Sequence, residues 1–499
     1  MSIDHGARSA TPIDLEKLDR AEMSATEAKA CPARGHGRLL RGLDSLPGSS
    51  LDQGRFGRMF RRLPAYLPGD ETIRAIAKIM ADDLPETVQR DNPDIPAGYT
   101  YLGQFIDHDL TFDPVSSLDR QNDPDALVDF RSPRFDLDSM YGSGPADQPY
   151  LYDKKNPGRL LIGRHDDELD LPRTEQETAI IGDPRNDENI LVSQIALTFM
   201  SFHNQVMDRL HEFPEAAPRD GETEFAAAQR VVRWHYQWVA VHDFLKRVVG
   251  QQTLDSVLKT NPVEHVDLRF FRWSREPFMP VEFSVAAYRL GHSMIRAGYQ
   301  FNTTVPGLPI FVPGPIAEAD PLSHMGGFRK LPALWQVEWR RFFEIDGQTF
   351  PGMQPSRALD TRIAVPLLDL PPDEAPIMTS LVMRNLTRGA RLGLPSGQSV
   401  ARAMGIRPLT DEQLALPKPG PAPLWYYVLR EAEILGMGRH MGPVGGRIVA
   451  EVFLGLLSGD NASYLRMEPG WRPFLPSLVK GDFTMPDLIK FSGFGLAQV

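Results

Sequence analysis

Tyr101-Leu-Gly-Gln-Phe-Ile-Asp-His-Asp-Leu-Thr-Phe-Asp-Pro114 is the stretch around which the rest of the chain is read. Its apolar residues Leu102, Phe105, Ile106, Leu110 and Phe112 are interrupted by Gln104, Asp107, His108 and Asp109. On a helix, Gln104, Asp107 and His108 stand at i, i+3 and i+4 and share a face. Asp109 lies about 100° further round and serves something else. An imidazole flanked by two carboxylates in apolar surroundings is costly to bury unless a metal, a cofactor or a hydrogen-bond network meets it. The same residues also fit a histidine salt-linked to its neighbours on a helix surface.

Working outward, residues 1–50 are rich in Gly, Ser, Pro and charge and read as an irregular arm. Helical spacing is expected over 71–81, 190–212, 224–250, 281–296, 335–344, 377–387, 396–404, 424–435 and 444–457. Few stretches alternate with period two, so the fold class is mainly α. The 44 prolines imply long ordered loops between the helices. No composition shift divides the chain, which makes residues 51–499 one large helical domain. Length alone, 499 residues for the whole chain, allows two to four core units or one large composite domain.

A net charge of −11 gives no support to a nucleic-acid or anionic-membrane partner. The single cysteine, Cys31, cannot form an internal disulfide. The first residues lack the apolar core of a secretory signal, and no run approaches the ~18 apolar residues of a membrane span. The expectation is therefore a soluble protein, cytoplasmic or exported by a signal-independent route.

Four further constellations carry chemistry. Ser132, Asp136 and Asp138 offer closely spaced oxygens in a loop, as a hard cation such as Ca²⁺ requires, although a solvated acidic turn explains them too. If Asp109 also points there, the cation accounts for the carboxylate beside His108. In Ile181-Gly-Asp-Pro-Arg-Asn-Asp-Glu-Asn-Ile190, Asn186 or Asp187 can cap the following helix and Glu188 suits its first turn. Arg185 is a cation at the wrong end of a helix unless an anion or polarised oxygen meets it. His292 stands among small and apolar residues beside Gly291, either as a satisfied core histidine or as an axial ligand for haem iron. In Met383-Arg-Asn-Leu-Thr-Arg-Gly389, Asn385 can accept from a ligand histidine, and Arg384 and Arg388 suit carboxylates. His203, His235 and His242 are expected to be buried and hydrogen-bonded. No zinc-protease, phosphate-loop, nucleophile-elbow or dinucleotide motif appears in a supporting context.

These pieces, in this order, resemble the animal-type haem peroxidases. The resemblance implies a helical peroxidase fold, haem b and Ca²⁺. It makes His108 the distal acid–base, Gln104 its companion and Arg185 the catalytic arginine. Asp107 and Glu188 match the carboxylates that form ester bonds to the haem. Asp109, Ser132, Asp136 and Asp138, with the carbonyl of Arg134, match the calcium site. His292 matches the proximal iron ligand, Asn385 its hydrogen-bond acceptor, and Arg289 and Arg388 the propionate partners. The implied activity reduces H₂O₂ and oxidises small donors (phenols, bromide, iodide, thiocyanate) through a ferryl intermediate. Two features depart from the pattern. Asn189 stands where some members have the methionine of a third haem bond, and Arg388-Gly-Ala-Arg-Leu-Gly393 differs from the usual continuation. A fatty-acid dioxygenase of the same superfamily and a non-catalytic haem-binding or adhesive protein are the alternatives. Against the first, Arg289 occupies the position three before His292 where a radical-forming tyrosine is expected, and Tyr288 is one residue off.

Overall fold

Helices supply almost all the regular structure, and what limits each of them is visible in its first and last residues. Numbering the helices of eight residues or more, these are α1 (Asp70–Ile79), α2 (Gly98–Leu110), α3 (Ile190–Arg209), α4 (Glu224–Trp238), α5 (Leu381–Arg391), α6 (Leu424–Leu435), α7 (Pro443–Gly459) and α8 (Met485–Ser492). The computed structural model describes residues 54–496 apart from 82–89, 113–122, 125–126, 130, 166–167, 275, 373–374 and 376–377. The arm expected over residues 1–50 lies outside them.

α3 begins at Asn189, whose side-chain oxygen accepts from Leu191 N and Val192 N and so satisfies two donors that a helix start leaves open. Its buried face runs from Ile190 to Val206 and packs against α2, α4 and α8. α4 does not stop at Trp238. It widens into a π-helical segment, Val239–Leu245, continues over Lys246–Val249, and ends where Gly250 adopts φ 79°. Such widened turns occur often at functional sites; here the segment aims Asp243 at the hydroxyl of Tyr99 (2.8 Å). α7 is buried along most of its length, with Val444–Leu457 all inside. Pro443 presets its first turn, and Glu431 of α6 accepts from Val444 N (2.8 Å) and Gly445 N (3.2 Å) at its start.

Strands are short and confined to ribbons. Gly54–Gly57 pairs antiparallel with Val128–Asp129 and parallel with Met279–Pro280, and Asp91–Pro96 pairs antiparallel with Pro355–Arg357. Long proline-rich connections fill the remainder, as expected from composition. No described helix is long and apolar enough to cross a membrane.

Three expectations change. The stretch 281–296 is not one helix but three short turns, Val281–Ser284, Ala287–Leu290 and Gly291–Met294. Nε of Arg289 donates to the carbonyl of Ser284 (2.9 Å), the acceptor a continuous helix would offer to its own next turn, and Ala286 swings to φ −128°, ψ −75°. Of 335–344 only Trp339–Arg341 is helical. The helix placed over 377–387 is shifted to Leu381–Arg391, because Ser380 caps it by accepting from Met383 N.

Candidate active site

A cavity of about 370 Å³ is lined by Gln104, Asp107 and His108 of α2, by Arg185, Glu188 and Asn189 from the lead-in to α3, and by Arg289 and His292 from the broken turns. That volume lies in the range of small-molecule and cofactor sites. Ile310, Phe311, Met325, Leu367 and Leu370 close it with apolar surface.

The face predicted from i, i+3 and i+4 spacing is the cavity-facing one. His108 is buried, 4% exposed, with Nδ1 2.9 Å from Oδ1 of Asn186 and Nε2 3.5 Å from Oε1 of Glu188. Gln104 donates from Nε2 to Glu188 and accepts at Oε1 from Asn189 (3.1 Å). Oδ1 of Asp107 accepts from the Thr111 hydroxyl at 3.3 Å.

The anion that Arg185 needs is Asp183. This fully buried carboxylate accepts from Arg185 N (2.8 Å), Nε (3.2 Å) and Nη2 (2.7 Å), and from Arg131 Nε (2.9 Å) and Nη2 (2.6 Å). Burial pushes the Asp183 carboxyl up, but the two guanidinium groups outweigh it and hold its pKa below the usual carboxylate range. Arg185 also donates to the carbonyl of His108 (3.0 Å) and stacks on Phe112, 4.5 Å from the ring centroid. Neither Asn186 nor Asp187 caps α3. Asp183 caps the 3₁₀ turn Pro184–Asp187, and Asn189 caps the helix. Asp187 instead pairs with Arg173 (2.6 Å), and burial raises its pKa to about 6 against that pairing.

On the opposite wall, Nδ1 of His292 lies 2.8 Å from the carboxamide of Asn385 on α5. Which end of an amide faces a ring is decided by its surroundings. With the oxygen turned inward, it accepts Nδ1–H and leaves Nε2 bare. Burial and the nearby Arg289 guanidinium hold the imidazole pKa down, to about 3, so the ring is neutral at ordinary pH. Trp425 meets it edge-on at 6.4 Å and donates Nε1–H to the carbonyl of Arg289 (3.2 Å). Arg384 lines the cavity, whereas Arg388, one turn further along α5, is not among the lining residues. Burial and Arg289 both depress the Arg384 pKa.

Asp109 points away from the cavity, as its position on the helix implies. One carboxylate oxygen each from Asp109, Asp136 and Asp138 lie within 4.8 Å of one another. Asp109 is 0% exposed and accepts from Leu137 N (3.1 Å), Ser139 Oγ (3.2 Å) and the Tyr236 hydroxyl (3.1 Å). Burial, then Asp136 and Asp138, raise its pKa well above the usual value. Ser132 donates to Asp136 (2.8 Å), and Arg134 N bonds back to the carbonyl of Ser132 (2.7 Å). Leu137, at φ 58°, turns the chain between the two loop aspartates.

Sequence reasoning assigned no role to Asp183 or Trp425, and read Asn186 only as a possible helix cap. Asp183 stood in the quoted Gly-Asp-Pro-Arg segment, two residues before an arginine lacking a counter-charge, which was signal enough to name it. Trp425 is 133 positions from His292, and nothing in its neighbourhood marks it.

Comparison with known proteins bears on the fold and the family resemblance. An animal haem peroxidase family model matches residues 116–310. Chorion peroxidase of Drosophila melanogaster is 25% identical over 321 residues, covering 62% of this chain and 37% of that protein. The chain thus spans about a third of the length of the curated relatives it matches. Peroxidase A from Dictyostelium discoideum has the same fold, with TM-score 0.62 and 16% identity over 89% of this chain and 94% of its own. A fatty acid alpha-dioxygenase of Arabidopsis thaliana superposes with TM-score 0.52 and 15% identity, covering 82% of this chain and 74% of that one. The family-model match over residues 116–310 and the likeness of the helical fold to the Dictyostelium peroxidase make this chain similar to the animal haem peroxidases.

Proposed function

We propose that this chain is a haem-dependent peroxidase that reduces H₂O₂ and oxidises small donors such as phenols, bromide, iodide or thiocyanate. The observation that carries the reading is that His108 and His292 line one cavity, the first among polar partners and the second neutral and tied to Asn385. The donor set fits haem b. His292 would hold the iron through Nε2, Asn385 would fix the ring, and Arg289 and Arg384 suit its carboxylates. Asp107 and Glu188 are the carboxylates available for ester bonds. When bound, the haem supplies a redox-active iron at which peroxide is reduced.

The chain's own residues do the rest. His108, steadied at Nδ1 by Asn186, takes a proton from the incoming peroxide at Nε2 and returns it to the leaving oxygen. Arg185, aimed by Asp183, stabilises the negative charge that develops as the O–O bond breaks. Three carboxylates, two of them buried, converge here, with Arg131 lying 3.5 Å from Asp138. A Ca²⁺ ion there, with Ser132 and the carbonyl of Arg134 completing an oxygen shell, turns that repulsion into cohesion beside His108.

Guaiacol oxidation by the haem-loaded chain is expected to exceed that by free haemin manyfold, and equality would overturn the proposal. Acid–acetone treatment of active, peroxide-treated protein should leave part of the haem attached; complete extraction would remove the ester assignment. One observation favours a second reading, fatty-acid dioxygenation: Tyr288 lines the same cavity, donating to the carbonyl of Gly103 at 3.2 Å. Oxygen uptake with linoleate and no other donor would select it.

A further inference from the structure

Asn189 joins the helix start to the cavity, and the direction of its hydrogen bonds can be deduced from backbone atoms alone. Leu191 N (3.1 Å) and Val192 N (2.9 Å) are donors and nothing else, so the end of the Asn189 amide that meets them is Oδ1. Its other end, Nδ2, therefore faces Gln104 at 3.1 Å and requires an acceptor there, which makes the near atom of Gln104 its Oε1. Nε2 of Gln104 is then forced to the far side, against Oε1 of Glu188, an acceptor when ionised. The reverse orientation sets N–H₂ against N–H₂ at one end and oxygen against oxygen at the other, leaving mismatched polar groups in a partly buried site.

The frame that holds Asn189 is stiff. Ile190 N donates to the carbonyl of Met325 and Gly327 N to that of Glu188, both at 3.0 Å, and Asn189 bridges Gly326 in antiparallel register. A Cβ on Gly327 would sit 1.8 Å from the carbonyl oxygen of Asp187, so only glycine allows this approach. Nε2 carries two hydrogens, and Glu188 is its one partner among the described residues. The second hydrogen belongs to a side chain that lines the cavity.

We propose that Asn189 is a positioning residue: by capping α3 it fixes the Gln104 amide with its N–H₂ group as the donor offered to the cavity, which favours anionic ligands there. This rests on the peroxidase reading, and the test separates the two. Azide dissociation constants are measured by absorption titration of the haem-loaded full chain at one pH. Asn189→Ser keeps a capping oxygen but lacks the amide donor; its azide dissociation constant should rise about threefold to tenfold while the melting temperature holds. In a Gln104→Leu background the same substitution should have no further effect, since it acts through Gln104. Asn189→Thr, which also caps, replaces the serine variant if that one does not fold. Unchanged azide binding in the single variant, or an equal loss in both backgrounds, would overturn the proposal. A wild-type chain that takes up no haem would instead overturn the peroxidase reading.

Discussion

On the His108 wall of the cavity each charged group has a protein partner: Arg185 has Asp183, Glu188 has Gln104, and Asp107 has Thr111. On the His292 wall two guanidinium groups, Arg289 and Arg384, face the cavity with no carboxylate partner among the described residues. The first wall is a regular 13-residue helix braced by a capped turn, and the second is three short turns and a neutral imidazole. On the proposed peroxidase reading, the first wall serves proton and charge transfer, and the second holds an anionic group with a metal at its centre. Substitutions of His108 and Arg185 on the first wall should therefore damage catalysis and spare cofactor binding, while those on the second should do the reverse.

The largest effect expected from that contrast is catalytic. His108→Ala should slow peroxide turnover by about 10²–10⁴, the usual worth of a positioned acid–base. Arg185→Leu should cost about 10²–10³, as for other preorganised charge-stabilising donors. Haem affinity, followed by absorption titration, should hold in both. If either variant loses haem in proportion to rate, the division of labour between the walls is wrong. Next in size, Asn385→Leu should weaken haem binding by about 10–100-fold, in line with other groups that orient a metal-bound histidine. Unchanged affinity would show that the 2.8 Å contact does not orient the ligand.

The same contrast explains what could be read in the chain alone. The His108 wall was legible because its logic is local. Gln104, Asp107 and His108 fall on one helical face and Asp109 on another, and the structure sends the first three to the cavity and the fourth to Asp136 and Asp138. The His292 wall is set by distant groups. An apolar segment that reads as a helix is broken at Ala286, where Nε of Arg289 takes the carbonyl of Ser284, an arrangement with no periodic signature. Asn385 meets His292 across 93 positions, so only the resemblance connected them. The resemblance gave the propionate role to Arg388, whereas Arg384 is the one that lines the cavity, because the helix begins at Ser380 and fixes their phase. Asn189 was noted as a departure from the family pattern, while its capping geometry needed coordinates.

A smaller effect tests the cation behind the His108 wall. With Ca²⁺ at a hundredfold excess over its dissociation constant, binding adds about 2.7 kcal/mol. EDTA should lower the melting temperature by a few degrees, and Asp109→Asn should remove the response to EDTA. An EDTA-insensitive wild type would discard the calcium site.

The smallest effect concerns acid. His203, on the helix that Asn189 caps, is buried between the Tyr141 hydroxyl and the carbonyl of Gly158, and burial lowers its pKa to about 4. An unfolded imidazole titrates near ~6.5, so the unfolded chain binds the proton first and stability falls as pH drops from about 6.5 to about 4. Asp183 works over a different window. Its depressed pKa adds stability at neutral pH that fades only as pH falls below ~3.9. His203→Phe should lower the melting temperature at neutral pH yet flatten its slope between pH 6.5 and 4. An unaltered slope would assign the acid response to other groups.

The claim on which the rest depends is that His292 binds haem iron in the cavity it shares with His108. Titrating haem into the wild-type chain and into His292→Ala, with the Soret band followed at each addition, tests it directly. The wild type should saturate at one haem per chain with a sharp, shifted band, and the variant should show only the spectrum of loosely held haem. Identical bands and identical affinities in the two would contradict the account.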